Sequence, residues 1–440
     1  MKVTFNLILI AFSLLFFIKC NTTETPPLQG NYKITIETIT QSHRSITIKV
    51  KSESDKAASI EIFRQLNGTD TLVAEYTTQT NDTTIVDDNN GKGLKTNTTY
   101  KYYGKVISNG NSVYSSDPVE IKTEGFTSHD VSWNKYELGD AGFSNNFRDV
   151  WVYDENNVYI AGGLRINDTA YGVVKWDGNN FIPSKKFGDE RAIIGFGKDD
   201  IWVVGATFEH FDGNKWNWID AKEDGNTVIP LDSILYYNQP YGCIWGTDSK
   251  NLYMGSIKGK IVHWDGEKAE VIADFGNYNI TDIKGINPDL LLAVGYNINP
   301  GLSVVTYIER GTLNPVSVFS NGYFWPNAIK IFNEKEKYIA GYGIAVGDQT
   351  SWRIYSVPNF DGYNYLNGIN GLASNNIFVC GAKGNVLHFN GKEWHQYQDF
   401  YSTGRGLVGI GITKSKVYIV GSDYIDPING KAILIIGETK

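Results

Sequence analysis

Three histidines stand in matching local contexts: His210 before Phe211, His263 before Trp264 and His388 before Phe389. Three imidazoles brought to one point could hold a divalent transition metal. Each, however, sits just upstream of an Asp-Gly or Asn-Gly pair, so all three occupy one repeated position and point in different directions if the copies form a ring. The aspartates beside them, Asp212 and Asp265, and Asp177 in the same setting, precede Gly213, Gly266 and Gly178. An Asp-Gly pair supplies the positive φ that a tight hairpin needs, so these residues read as turn formers before catalytic carboxylates. No nucleophile elbow, zinc-protease helix or phosphate-binding loop is present, and Gly341-Tyr342-Gly343 lacks the strand-to-helix setting of a dinucleotide site. The expectation is no metal and no cofactor. Three cysteines cannot make a disulfide framework. Cys243 and Cys380 read as buried, unpaired thiols without the CxxC spacing of a redox or zinc site.

The elements that carry these residues repeat. An apolar strand ends in glycine or serine at Gly162, Gly205, Ser256, Gly295, Gly341, Gly381 and Gly421, with gaps of 39 to 51 residues. The stretch Asn375–Tyr397 shows the unit most clearly: a turn, a strand ending at Gly381, a second strand, an Asn390-Gly391 turn, and a third strand carrying Trp394. A period of this length with four short strands per unit predicts a β-propeller. Repeat seven supplies only three strands, and the early strand Ser132–Leu138 is expected to complete it, closing a seven-bladed ring over residues 132–440 and removing a sheet edge. In repeat five the outer strand after SWRIYSV has no clear position. Trp202 and Trp264 fall where the repeat demands a large buried residue.

The G-x-[IV]-x-H-[WF]-[DN]-G-x-x-W pattern resembles bacterial exported propellers, a resemblance that implies the fold and leaves the function open. Turns between first and second strands are short and polar (DENN, KDD, DSKN, NPD, ASNN, TKSK), as are the third-to-fourth turns. The opposite face carries loops of unequal length, among them Leu164–Tyr171, Asp220–Tyr241, Val318–Asn327, Ala345–Ser351, Asp399–Arg405 and Ser422–Asn429. These gather aromatic residues: Tyr236, Tyr237, Tyr241, Phe324, Trp325, Tyr401 and Tyr424. Variable loops on a rigid scaffold are where binding residues concentrate, so these seven are the candidate ligand contacts.

Residues 1–20 join Lys2 to an apolar run from Leu7 to Ile18, too short for a membrane span and suited to an export signal. The run leads to Cys20 and resembles a bacterial lipoprotein signal with Cys20 lipidated, departing from it at Lys19, where that pattern has a small residue. Lipidation implies the outer membrane or cell surface; its absence implies a periplasmic or secreted protein. Residues 21–29 read as a polar tether. Residues 30–124 alternate apolar and polar in short runs separated by turn clusters, which predicts an all-β sandwich of about seven strands. Leu94, Thr98, Tyr100, Tyr102 and Val106, with the closing SSDPVEIKT, resemble a fibronectin type III domain, which implies a spacer or adhesion module. SITIKVKS lacks the tryptophan usual in that family's second strand.

The whole chain is therefore expected to be all-β. A net charge of −8 without a basic patch argues against nucleic acid. The leading expectation is an exported cell-envelope binding or scaffold protein that takes a protein or glycan on the variable-loop face without turnover. It touches membrane only through an N-terminal lipid. Two alternatives stand beside it: a propeller hydrolase or lyase acting on polysaccharide, which needs carboxylates converging at the channel, and a purely structural envelope component.

Overall fold

The computed structural model describes residues 31–54, 58–77, 82–108, 110–205, 208–219, 222–223, 227–228, 242–256, 259–297, 303–309, 312–315, 324–348, 351–355, 365–424 and 429–439. Cys20, Tyr236, Tyr237 and Tyr241 lie outside them. The chain divides into two compact units, the second containing Glu124–Lys440. Among the described residues the named strands pair antiparallel, and the one helical element is the 3-10 turn Gln398–Phe400.

The first unit has two sheets around one core. Tyr32–Gln41, Ile46–Ser54 and Asp82–Asp87 form one sheet; Thr69–Thr77, Ser59–Leu66, Thr99–Ser108 and Asn111–Ser115 form the other, with Val119–Lys122 also pairing to Thr99–Ser108. Alternation along Ile46, Ile48 and Val50 sends three aliphatic side chains inward. Tyr100 and Tyr102 come from the facing sheet. The buried Asp87 is paired with Arg64 at 2.7 Å and accepts the Tyr102 hydroxyl at 2.7 Å. A buried carboxylate held this way is compensated; without Arg64 it would not be.

The second unit forms seven four-stranded sheets, a β-propeller. Blades 1 to 6 occupy residues 146–186, 192–218, 243–274, 278–315, 328–355 and 366–396. Blade 7 takes three strands from residues 405–439 and its fourth from Val131–Leu138, which pairs along Lys431–Thr439 from Leu138↔Ala432 to Val131↔Thr439. Trp133 on this strand packs edge-on against Tyr397 and Phe400 of the blade 6 side, at 4.9 and 5.1 Å.

Seven apolar clusters lie between the blades, one for each neighbouring pair. That between blades 7 and 1 joins Tyr418, Val420 and Leu434 to Phe147, Val150 and Ile160. Alternation along one strand feeds two clusters: Leu291 and Ala293 face blade 3, whereas Leu292 and Val294 face blade 5. Trp202 and Trp264 are both in the cluster between blades 2 and 3. Cys243 and Cys380 are buried in such clusters as free thiols, and burial pushes the Cys243 thiol up to about 12.

Two loop assignments need correction. In blade 5 the third strand is Gly343–Gly347, which turns back after Tyr342 alone, so Trp352–Tyr355 is the outer strand, and between the two the Asp348 N–H donates to the Ser351 carbonyl at 3.0 Å. Gly343 makes this reversal possible by adopting φ +128. In blade 1 the pairing continues through Leu164↔Tyr171 to Ile166↔Thr169, leaving only Asn167-Asp168 as a turn, at φ 51 and 61.

The repeated glycine has a single cause. A Cβ on Gly381 would lie 2.1 Å from the Tyr365 carbonyl oxygen, and one on Gly421 would lie 2.1 Å from that of Gly406. Gly162, Gly295 and Gly341 face the same obstruction, the backbone entering their own blade's inner strand. Gly381→Ala should therefore lower unfolding free energy by about 1–3 kcal/mol, read by denaturant titration. Gly197→Ala, where nothing lies within 4 Å of the added atom, should leave it unchanged.

Candidate functional site

The inner strands of all seven blades surround a channel cavity of about 630 Å³. Its upper layer arises from β-bulges. Register slips between Phe147 and Asp149, Ile280 and Asp282, and Leu366 and Gly368 leave Arg148, Thr281 and Asn367 unpaired and aim them at the channel. With Asn327, which precedes the blade 5 inner strand, these side chains latch blades 1, 4, 5 and 6 each to the chain that follows. The Thr281 hydroxyl donates to the Pro326 carbonyl at 2.8 Å, Asn327 Nδ2 to Leu366 at 3.0 Å and Asn367 Nδ2 to Leu407 at 3.0 Å. Arg148 grips Asp189 through two bonds of 2.8 and 3.0 Å, and Arg191 meets the same carboxylate at 3.3 Å.

Below them lie Asp149 and Asp282. Asp149 accepts the Val150 and Ile193 backbone N–H at 2.8 and 3.0 Å; Asp282 accepts those of Ile283 and Ile329, both at 2.8 Å. Each carboxylate thus spans two blades. Burial drives the Asp149 carboxyl up to about 6, against the pull of its two backbone donors. The pair is engaged in joining blades, so the two carboxylates are structural clamps in this arrangement.

The variable-loop face holds an aromatic row at the channel mouth. Trp325 stacks on Tyr296 at 5.6 Å and 17°, and on Tyr365 at 5.6 Å and 10°; Tyr342 meets Tyr365 edge-on at 5.7 Å. All four are half-exposed. They come from blades 4, 5 and 6 by one local rule. Tyr296 and Tyr342 directly follow the repeat glycine, whereas Trp325 and Tyr365 supply the backbone carbonyls that meet Gly341 and Gly381, Tyr365 directly before its inner strand and Trp325 three residues before, so the contact that needs glycine brings these positions together. Of the predicted contacts, Trp325 is in this row, Tyr424 lines the channel, and Tyr401 is exposed. Phe324 is only 3% exposed and packs in the cluster between blades 4 and 5, so its ring is core and not surface. Tyr296, Tyr342 and Tyr365 were missed because they abut strand ends and not long loops; their position next to the repeat glycine was the available signal.

The histidines are held apart, each within its own blade. His210 Nε2 meets Asp200 at 2.8 Å, His263 Nε2 meets Asn251 at 2.7 Å and His388 Nε2 meets Asn376 at 3.2 Å. Each ring stacks on the second-strand aromatic, Trp202, Tyr253 or Phe378, at 4.3 to 4.6 Å. Asp177, Asp212 and Asp265 each accept two backbone N–H groups of their own turn, and these bonds hold their pKa values down. Gly178, Gly213 and Gly266 take φ +100, +89 and +98.

Comparison with protein-family models found no match, and comparison with curated proteins found none. Among solved structures, the chain is similar to YCF48 bound to a D1 peptide, with a TM-score of 0.51 and 16% identity over 70% of this chain and 95% of that one. It is also similar to the WD40 β-propeller domain of Doa1, with a TM-score of 0.50 and 13% identity over 72% of this chain and 98% of that one. At such identities the likeness is one of fold, and the fold is the propeller.

His388 should set part of the acid stability. Burial, then His129 and His395, lower its pKa to about 3. Between the ordinary histidine value and that figure the unfolded chain binds a proton the folded one refuses, so stability falls as pH falls from about 6.5 toward 3, at up to about 1.4 kcal/mol per pH unit. His388→Gln should flatten this limb in melting curves taken at about pH 4 to 6.5; an unaltered slope would assign the acid sensitivity elsewhere.

Proposed function

We propose that this chain is an exported binding protein whose propeller takes a protein partner on the variable-loop face without turning it over. The observation that carries the reading is the stacked row Tyr296–Trp325–Tyr365, half-exposed beside the channel mouth. Rigid aromatic side chains offer contact area at small entropic cost and dominate interface energetics. A propeller of the same fold, YCF48, has been solved with a D1 peptide. That precedent supports a peptide-bearing partner over a glycan. The engagement of Asp149 and Asp282 by backbone N–H groups supports the noncatalytic part.

The first unit serves, on this reading, as a fibronectin type III-like spacer. Support comes from its strand order, with the first, second and fifth strands in one sheet and the remaining strands in the other. Residues 1–20 act as the export signal, and Cys20 as the lipid attachment point.

Trp325→Ala combined with Tyr365→Ala should weaken partner capture by about 2 kcal/mol or more on an array bearing peptides and glycans, with little change in melting temperature. Leu372→Ala, an exposed apolar residue beside a short turn on the opposite face, is the matched control and should bind as wild type. Equal capture by the double variant would remove the aromatic row from the site, and preferential capture of glycans would reassign the partner.

The anchor has its own test. Wild-type protein should partition into detergent and take up a fatty-acid probe, whereas Cys20→Ala should do neither. A wild-type protein released unlabelled would make the protein periplasmic or secreted.

A further inference from the structure

Below the clamping aspartates, one layer of the channel is divided into two chemically distinct halves. Trp151, Ile194, Trp245, Lys284, Lys330 and Asn370 occupy equivalent inner-strand positions, since each pairs with the same second-strand position: Tyr159, Trp202, Tyr253, Leu292, Tyr338 and Phe378. All six line the cavity and are half-buried. Blades 1 to 3 thus contribute indole, aliphatic and indole, whereas blades 4 to 6 contribute two ammonium groups and an amide.

The apolar half is built around its rings. Gly195 leaves room for Trp151, as a Cβ there would meet the indole at 2.6 Å, and Gly285 does the same for Trp245 at 2.0 Å. Both indoles are therefore held flat against neighbouring backbone. On the polar half, Lys284 Nζ bonds Asp282 at 2.7 Å, and Lys330 Nζ bonds the Asn370 side-chain oxygen at 2.9 Å. Among the described residues no carboxylate pairs with Lys330. An ammonium carries three donors, and although Lys330 Nζ also lies 5.4 Å from the Phe332 ring centroid, each lysine has donor capacity beyond these bonds for whatever fills the cavity. A cation taken from water without a counter-charge is costly, and burial with Lys284 nearby lowers the Lys330 pKa to about 8.

We propose that this layer is a binding site for a small monocarboxylate whose ring has an apolar face. Its carboxylate lies between Lys284 and Lys330, and its ring lies against the Trp151 and Trp245 wall. The cavity falls within the roughly 300–1,000 Å³ of small-molecule sites. One negative charge is what the layer lacks: Asp282 already answers Lys284, and Asp149 stands nearby to repel a polyanion such as a nucleotide. The same chemistry is offered by an aryl acid, whose ring is apolar, and by a sugar acid, whose CH face packs on indole. This site is separate from the aromatic row on the loop face and does not depend on it.

Calorimetric titration of the full chain at neutral pH distinguishes these possibilities, with phenylacetate set against phenylacetamide and glucuronate against glucose. The expected result is binding of at least one acid at about 1 mM or tighter, with its neutral counterpart weaker by about tenfold or more. Phenylacetate alone would identify an aryl acid, and glucuronate alone a sugar acid. Lys330→Met strands no carboxylate and should weaken the bound acid by about tenfold with the melting transition retained. In the wild type, affinity should fall as pH rises from about 7 to 9.5, as Lys330 loses its proton; this arm decides the matter if the variant does not fold. No binding by either acid, equal binding by the neutral counterpart, or affinity indifferent to both Lys330→Met and pH would overturn the proposal.

Discussion

The propeller depends on one close approach. In five blades the second strand carries a glycine whose missing side chain admits the carbonyl of the chain entering the inner strand, with an added Cβ lying only 2.0 to 2.1 Å from that oxygen. The inner strand can therefore enter its blade tightly, and the channel-facing positions that follow acquire a common register. Glycine is required here for space and not for an unusual φ, and that explains why the repeat is most visible in sequence at this point. Blade 3 has Ser256 in its place, 2% exposed and with its backbone N–H on the Lys260 carbonyl.

Apolar packing between blades is generous but unspecific. Seven clusters of mostly Ile, Val, Leu and aromatic residues would tolerate many exchanges of similar volume. Polar groups that bridge blades are less forgiving. Asp149 and Asp282 each accept a backbone N–H from the next blade, and Asn327 and Asn367 each donate to the next blade's carbonyl. Lys185, 3% exposed between blades 1 and 2, answers Glu190 and Glu209 at 2.9 and 3.0 Å. A slip of one residue would bury these groups unpaired, at a cost of several kcal/mol for a charge. The polar bridges thus set the register that the apolar clusters alone leave loose, and the strand from Val131 to Leu138 closes the remaining edge.

What could be read in the sequence follows this division. Local constraints were legible: the repeat glycine, the Asp-Gly turns, the repeated structural place of the histidines, and the closing strand. Each depends on residues a few positions apart, or on one repeated pattern. Blade 5 defeated the pattern because Tyr342 alone connects its second and third strands, and the φ of Gly343 is invisible in a composition. Phe324 was assigned to the surface because it falls in the long loop Val318–Asn327, yet Phe324 and Trp325 face opposite ways, one into the core and one toward solvent. Lys284 and Lys330 could not be associated with Trp151 and Trp245 at all. They lie tens of residues apart and meet only when every inner strand is counted from its own bulge.

Those channel positions are also where this fold is free to vary. The second strands are committed to interface packing on both sides, with Leu291 to Val294 buried in alternating directions. The outer turns are committed to backbone geometry through their Asp and Asn side chains. Below the bridging aspartates, the inner strand's channel-facing positions carry neither duty. The six channel-layer residues accordingly run from indole to ammonium without disturbing a shared pairing partner position. The aromatic row has the same freedom, because Trp325 and Tyr365 give the glycine contact only their backbone carbonyls and leave their rings uncommitted to it. A scaffold whose constraints sit in the second strand can therefore change what its channel and loop face recognise without altering how its blades pair.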